Sequence, residues 1–133
     1  MTFGRPELAL DHYKQAATHG KVAEADPNKL ILLLLDGAIE RIHVAKGHLQ
    51  RKAVAKKGEY IGRSVSIIDA LRASLDKDQG GEIAANLDNL YDYMCRRLLA
   101  ANLENRPEYL DEVADLLEQL RAGWSVLSDA ARK

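Results

Sequence analysis

A chain of 133 residues that is 47% apolar but only 5% aromatic draws its core from Leu, Ala, Ile and Val, a mix that favours helix packing over a β-sandwich. Its 19 basic and 20 acidic residues leave a net charge of −1, so no global field holds nucleic acid or an anionic membrane surface. A single cysteine, Cys95, excludes an internal disulfide, and the longest apolar run, Leu30–Leu35, falls far short of the ~20 residues that span a bilayer.

In chain order, the first predicted element is a short helix over 6–19, marked by Leu8, Leu10, Tyr13 and Ala17 and ended by Gly20; a polar linker follows to residue 25. The second begins where Asp26 caps and Pro27 occupies the first helical position, and it runs to about Lys52. Ile31, Leu35, Ala38, Ile42, Ala45 and Leu49 recur along it at alternating spacings of four and three, a bundle seam. The third helix is expected over 57–76, with Ile61, Val65, Ile68, Leu71 and Leu75 as its stripe. "DKDQGG" over 76–81 reads as a turn, and the fourth helix as 82–105, with Ile83, Leu87, Leu90, Met94, Leu98 and Ala101. Pro107 restarts the chain, and Leu110, Val113, Leu117, Leu120, Trp124 and Leu127 define the fifth. No segment alternates with period two. The predicted architecture is all-α: an antiparallel up-down four-helix bundle over 26–133, preceded by a short extra N-terminal helix and linker over 1–25, together one domain.

Charge fits the up-down order. Arg51, Lys52, Lys56 and Lys57 crowd the turn after the first long helix, and Glu104, Glu108, Asp111 and Glu112 crowd the start of the last. Both turns lie at one end of such a bundle, each cluster complementing a helix dipole. Four basic residues beside four acids make a poor nucleic-acid site.

His43, Lys46 and Gly47 match H-x-x-K-G, a pattern carried by the helical histidine of phosphotransfer domains, themselves four-helix bundles. At 100° per residue His43 lies about 120° from the seam centre at Ile31 and is expected to be exposed. Asp36 and Glu40 share its face, however, and would repel an incoming phosphoryl group. Lys46 lies on the flank toward the seam, where its stem covers apolar surface. Glu40 and His43 also form E-x-x-H, but a di-iron bundle needs a second copy and two more inward glutamates, and the sequence has no such copy. Cys95 reads as a small helical residue rather than a nucleophile. No glycine-rich phosphate loop or catalytic carboxylate pair stands out, so neither an enzyme nor a cofactor is expected.

The informative excess is apolar. The seam needs only Ile31 and Leu35 from "LILLLLD", yet Leu30, Leu32, Leu33 and Leu34 surround the helix. Leu33 lies about 160° from the seam centre, where bundle neighbours cover poorly. Tyr91 and Tyr93 flank the fourth helix's stripe on opposite sides, a place ordinary for tyrosine at the edge of a core and common also at binding surfaces. Three covers suit this surplus: bundle neighbours on both sides, the short N-terminal helix, or a partner protein, an exposed apolar groove being fit for an amphipathic one.

Several stretches in order resemble the FliS family of flagellar export chaperones. They are Tyr13-Lys14-Gln15, Pro27 with Lys29-Leu30-Ile31, Asp36-Gly37-Ala38-Ile39, Ser74-Leu75-Asp76, Gly80 through Ala84, and Asn86-Leu87. Leu90-Tyr91-Asp92-Tyr93-Met94 is the most specific, followed by Arg97-Leu98, Ala101-Asn102, Glu112-Val113, Leu120-Arg121 and Trp124. Leu35 departs from the tyrosine often found before the family's "DGA". The resemblance implies a cytoplasmic, non-enzymatic helical bundle that binds the disordered C-terminal segment of flagellin, prevents its premature polymerisation and meets other flagellar export components, without nucleic acid or membrane insertion. It also implies that the short N-terminal helix, with Leu10 and Tyr13, occupies client-binding surface when the client is absent. The candidate partner-binding residues are Leu10, Tyr13, Leu30, Leu33, Leu34, Asn86, Leu87, Tyr91 and Tyr93. A histidine phosphotransfer bundle using His43 and a generic helical adaptor are the alternatives.

Overall fold

The computed structural model describes residues 26–131, with side chains through Val126. The expected N-terminal helix, with Leu10 and Tyr13, and the side chain of Leu127 lie outside the described residues. Within them are four helices, α1 (Pro27–Gln50), α2 (Val54–Ala73), α3 (Lys77–Glu104) and α4 (Pro107–Ala131), and no strand. Each helix packs on its neighbours in the chain and α4 closes back on α1, while the diagonal pairs make no comparable approach. Connections of two or three residues force this antiparallel, up-down order.

Local chemistry sets the ends. The Asp26 carboxylate accepts from the Asn28 N–H at 2.9 Å, and Pro27 needs no partner for a nitrogen that has no hydrogen. Helix α1 ends through Lys52, left-handed at φ 62°, with the Ala53 N–H bonded to the His48 carbonyl and the Lys52 N–H to that of Leu49. Helix α2 therefore starts at Val54, three residues before the expected Lys57, and ends at Ala73.

"DKDQGG" is mostly helical, contrary to expectation. Asp76 accepts from the Gln79 N–H at 3.0 Å and so starts α3 at Lys77. The glycines instead bend the helix one turn later: Gly81 sits at φ 53°, ψ −126°, a conformation that a side chain opposes. A strong cap upstream outweighs two weak helix formers.

The seams meet as the periodicity predicts. Leu35, Ala38 and Ile42 of α1, Val65 and Ile68 of α2, Met94 and Leu98 of α3, and Leu110, Val113 and Leu117 of α4 are all buried in one core. Leu34 joins them with no exposed surface. It lies about 60° from Ile31, on the arc that two flanking helices cover, rather than on an outer face.

Polar ties hold the ring. Lys57, expected on a charged turn, is buried: its Nζ donates to the Asn102 carbonyl at 2.9 Å and to Asn105 Oδ1 at 2.6 Å, satisfying the C-terminal end of α3. Arg72 of α2 forks onto Asp88 of α3 at 2.6 and 3.2 Å and holds that carboxyl below the usual carboxylate range. Between α3 and α4, the Tyr93 hydroxyl donates to Glu112 at 2.6 Å and Arg97 at 2.7 Å, and together they hold Glu112 low. Lys46 reaches Asp111 at 2.8 Å and Arg121 pairs with Asp36, joining α1 to α4.

Candidate functional site

The core does not run the full length of the bundle. Toward one end, each seam loses its cover. Ile31 near the start of α1, Leu75 just past α2, and Leu120 and Trp124 in the second half of α4 are half-buried. Ile83 near the start of α3 is 72% exposed although it continues the same stripe as Met94 and Leu98. In an up-down bundle these positions all lie at one end, where no other described helix extends over the last layer of side chains.

The helices splay there around an open, mostly apolar cavity of about 670 Å³. Leu30 and Ile31 come from α1, Leu71 and Leu75 from α2 and its following turn, Ile83, Ala84, Leu87 and Tyr91 from α3, and Trp124 from α4. Asn28, Asp76 and Gln79 add polar groups. The bend at Gly81 lies between the first turn of α3, which contributes Gln79 and Gly80, and the stripe from Ile83 onward. Tyr91 forms part of the lining with only 2% of its surface exposed, and burial pushes its phenol up to about 12.

The cavity brings Leu30, Leu87 and Tyr91 together. The other expected contacts lie elsewhere. Leu34 is inside the core, half-buried Leu33 does not line the cavity, and Asn86 is exposed outside it. Tyr93 is engaged with Glu112 in the α3–α4 contact, and Leu10 and Tyr13 fall outside the described residues. By periodicity Ile31, Leu75, Ile83 and Trp124 are ordinary seam residues, and periodicity does not mark which seam positions come last. Their places near helix ends, taken with the up-down order, were the available signal.

His43 is exposed, and its Nε2 lies 3.8 Å from a carboxylate oxygen of Glu118 on α4. A carboxylate that close to the ring nitrogen would repel a phosphoryl group carried there, adding to the repulsion expected from Asp36 and Glu40. Cys95 donates to Asp69 Oδ1 at 3.7 Å, and burial pushes its thiol up to about 12, which holds it protonated and unreactive. No helix among the described residues is long and apolar enough to cross a membrane.

A second apolar surface lies toward the other end of α3. Leu99 is 39% and Leu103 84% exposed, one helical turn apart. They sit about 160° around the helix from Ile83, so a straight helix laid over the cavity cannot also cover them.

Comparison with known proteins converges on one family. The family model described as flagellar protein FliS matches residues 9–131. The flagellar secretion chaperone FliSB of Pseudomonas aeruginosa is 42% identical over 120 residues, covering 90% of this chain and 95% of the relative. The flagellar secretion chaperone FliS of Salmonella typhimurium is also 42% identical over 120 residues, covering 90% and 89%. That of Bacillus subtilis is 29% identical over 126 residues, covering 95% and 93%. With a matching model over nearly all its length and relatives of this identity, the chain belongs to the FliS family of flagellar secretion chaperones, which are not enzymes.

Proposed function

We propose that this protein is a cytoplasmic chaperone for flagellin, and that the open end of the bundle receives the apolar face of flagellin's disordered C-terminal segment. The observation that carries this reading is the cavity itself: among the described residues the four seams of the bundle end around an open apolar space, surface in excess of what the four helices need to pack on one another. A client segment that orders on the chaperone buries its sticky face there and is withheld from polymerisation. The ordering costs part of the gross interaction, roughly 2–5 kcal/mol, which keeps the complex releasable. Leu99 and Leu103, far around α3 from the cavity, favour a client that wraps the bundle over one that docks as a single rod. Residues 1–25 lead in sequence through Asp26 to Pro27, which lines this cavity, so a competing role for them, through Leu10 and Tyr13, is part of the proposal.

Calorimetric titration with a peptide of the same bacterium's flagellin C-terminal segment tests it. Binding at about micromolar affinity, near −8 kcal/mol, with a negative heat-capacity change is expected. Deletion of residues 1–20 is expected to tighten binding severalfold. Absence of heat at peptide concentrations of about 50 micromolar, where such an affinity saturates, contradicts the proposal.

A further inference from the structure

The bend in α3 borders the cavity and belongs to two glycines. Gly81, at φ 53° and ψ −126°, occupies backbone that side chains oppose, yet a Cβ there would meet nothing within 4 Å. At Gly80 the restriction is space: a Cβ would lie 2.7 Å from that of Ala84. In a straight helix residues four apart keep their Cβ atoms about 5–6 Å apart, so the bend has drawn the first turn of α3 in against Ala84. That turn is a self-contained unit. Asp76 Oδ1 accepts the Gln79 N–H at 3.0 Å and the Asp76 carbonyl accepts the Gly80 N–H at 2.7 Å, so its hydrogen bonds travel with it. The core does not hold it: every residue over 76–83 is exposed, and burial begins at Ala84 and continues through Tyr91, Met94 and Leu98. Its side-chain tie across the bend is Lys77, whose Nζ lies 3.8 Å from the Asp88 carboxylate that Arg72 already holds at 2.6 Å. A long, exposed pair of this kind is weak. The segment nonetheless walls the cavity, through Asp76, Gln79 and Gly80.

We propose that Gly81 is a hinge and that residues 76–80 are a flap that turns on it to close over a segment seated in the cavity, while the rest of α3 stays fixed in the core. The proposal takes from the flagellin reading only the identity of that segment. A hinge needs a residue that absorbs a large change in φ and ψ, and Gly81 reaches both the bent and the helical conformation without a side chain to oppose either. With Gly81 helical, the flap would run on in line with α3; with Gly81 as it stands, the flap lies against the cavity wall. Moving it disturbs no buried side chain, and in its closed position it and the client together cover the apolar lining at Ile83, Leu87 and Tyr91.

The test is Gly81→Ala, with Gly123→Ala as its control. Both positions have room for a methyl group, so Gly81→Ala acts through the backbone alone, whereas Gly123 is an exposed residue of α4 without a positive φ. Left-handed backbone costs an L residue about tenfold in population, and affinity falls with the fraction of chains left competent to bind. Gly81→Ala is therefore expected to bind the flagellin C-terminal peptide about tenfold more weakly and to melt within about 5 °C of the parent, with the affinity of Gly123→Ala unchanged. Amide relaxation dispersion gives a second readout. Millisecond exchange is expected over residues 77–81 of the free parent and not over 91–98, quenched by the peptide and lost in Gly81→Ala. Amides over 77–81 as steady as those over 91–98, or a Gly81→Ala affinity equal to the parent's, overturns the hinge and leaves the flagellin reading standing. A parent that binds no peptide, yet shows this exchange and loses it in Gly81→Ala, overturns the flagellin reading and supports the hinge.

Discussion

Replacing Ile83 with Asp is expected to weaken binding of the flagellin C-terminal segment about a hundredfold while moving the melting temperature by no more than about 3 °C. The two halves of this expectation come from one fact: Ile83 lines the cavity and is 72% exposed. In the free protein it contributes little to packing, and substitutions at such exposed positions usually change stability by no more than about 0.5 kcal/mol. In the complex it would be covered by the client. Burying an isoleucine side chain is worth about 1.5–3 kcal/mol, and a carboxylate in its place must also give up hydration. Each 1.4 kcal/mol is a factor of about ten, so a loss near a hundredfold follows. Peptide titration and thermal unfolding of the same preparation check both halves. A normal affinity would place the client elsewhere.

Leu34→Ala is expected to act in the opposite way, costing about 3 kcal/mol of stability, whereas Leu33→Ala costs less than about 1 kcal/mol. The two leucines are adjacent in a run that the sequence presents as uniformly apolar, yet their surroundings differ. Leu34 has no exposed surface and belongs to the same buried cluster as Leu35, Ala38 and Ile42. Truncating it removes transfer free energy and leaves a cavity that helices on both sides cannot fill. Leu33 is only partly buried and outside that cluster. Urea unfolding of the two variants separates them. Equal losses would mean that the outer face of α1 is as tightly packed as its inner one.

The helices were legible because their seams are long and regular. Leu35, Ala38, Ile42 and Ala45 keep the spacing of a single face over three turns, and every one of them is buried. Caps were legible at Asp26 and Pro27, where chemistry and position agree. The start of α3 was not, because Gly80-Gly81 is a louder sequence mark than the Asp76 side chain that caps four residues earlier. The site was half legible. Leu30 and Tyr91 stood out as apolar or aromatic excess and Leu87 through the family resemblance, but an excess counted on one helix does not say which neighbour absorbs it, and so Leu34 and Leu33 read alike. Ile83 and Trp124 read as ordinary seam residues because periodicity describes a face and is silent about where along that face the neighbouring helices stop. That the buried indole nitrogen of Trp124 has no partner among the described residues is wholly a matter of three dimensions: nothing in the chain reveals which polar atoms lack one.

Nuclear magnetic resonance mapping of the complex tests the central claim most directly. Titrating unlabelled flagellin C-terminal peptide into the nitrogen-labelled protein should shift the Trp124 indole N–H, whose signal stands apart from the backbone. The amides of Leu30, Leu75, Ile83 and Leu87, around the same cavity, should move with it. Shifts confined to Val54, Leu99 and Leu103, the exposed apolar residues away from that end, with the indole signal unmoved, would contradict the account.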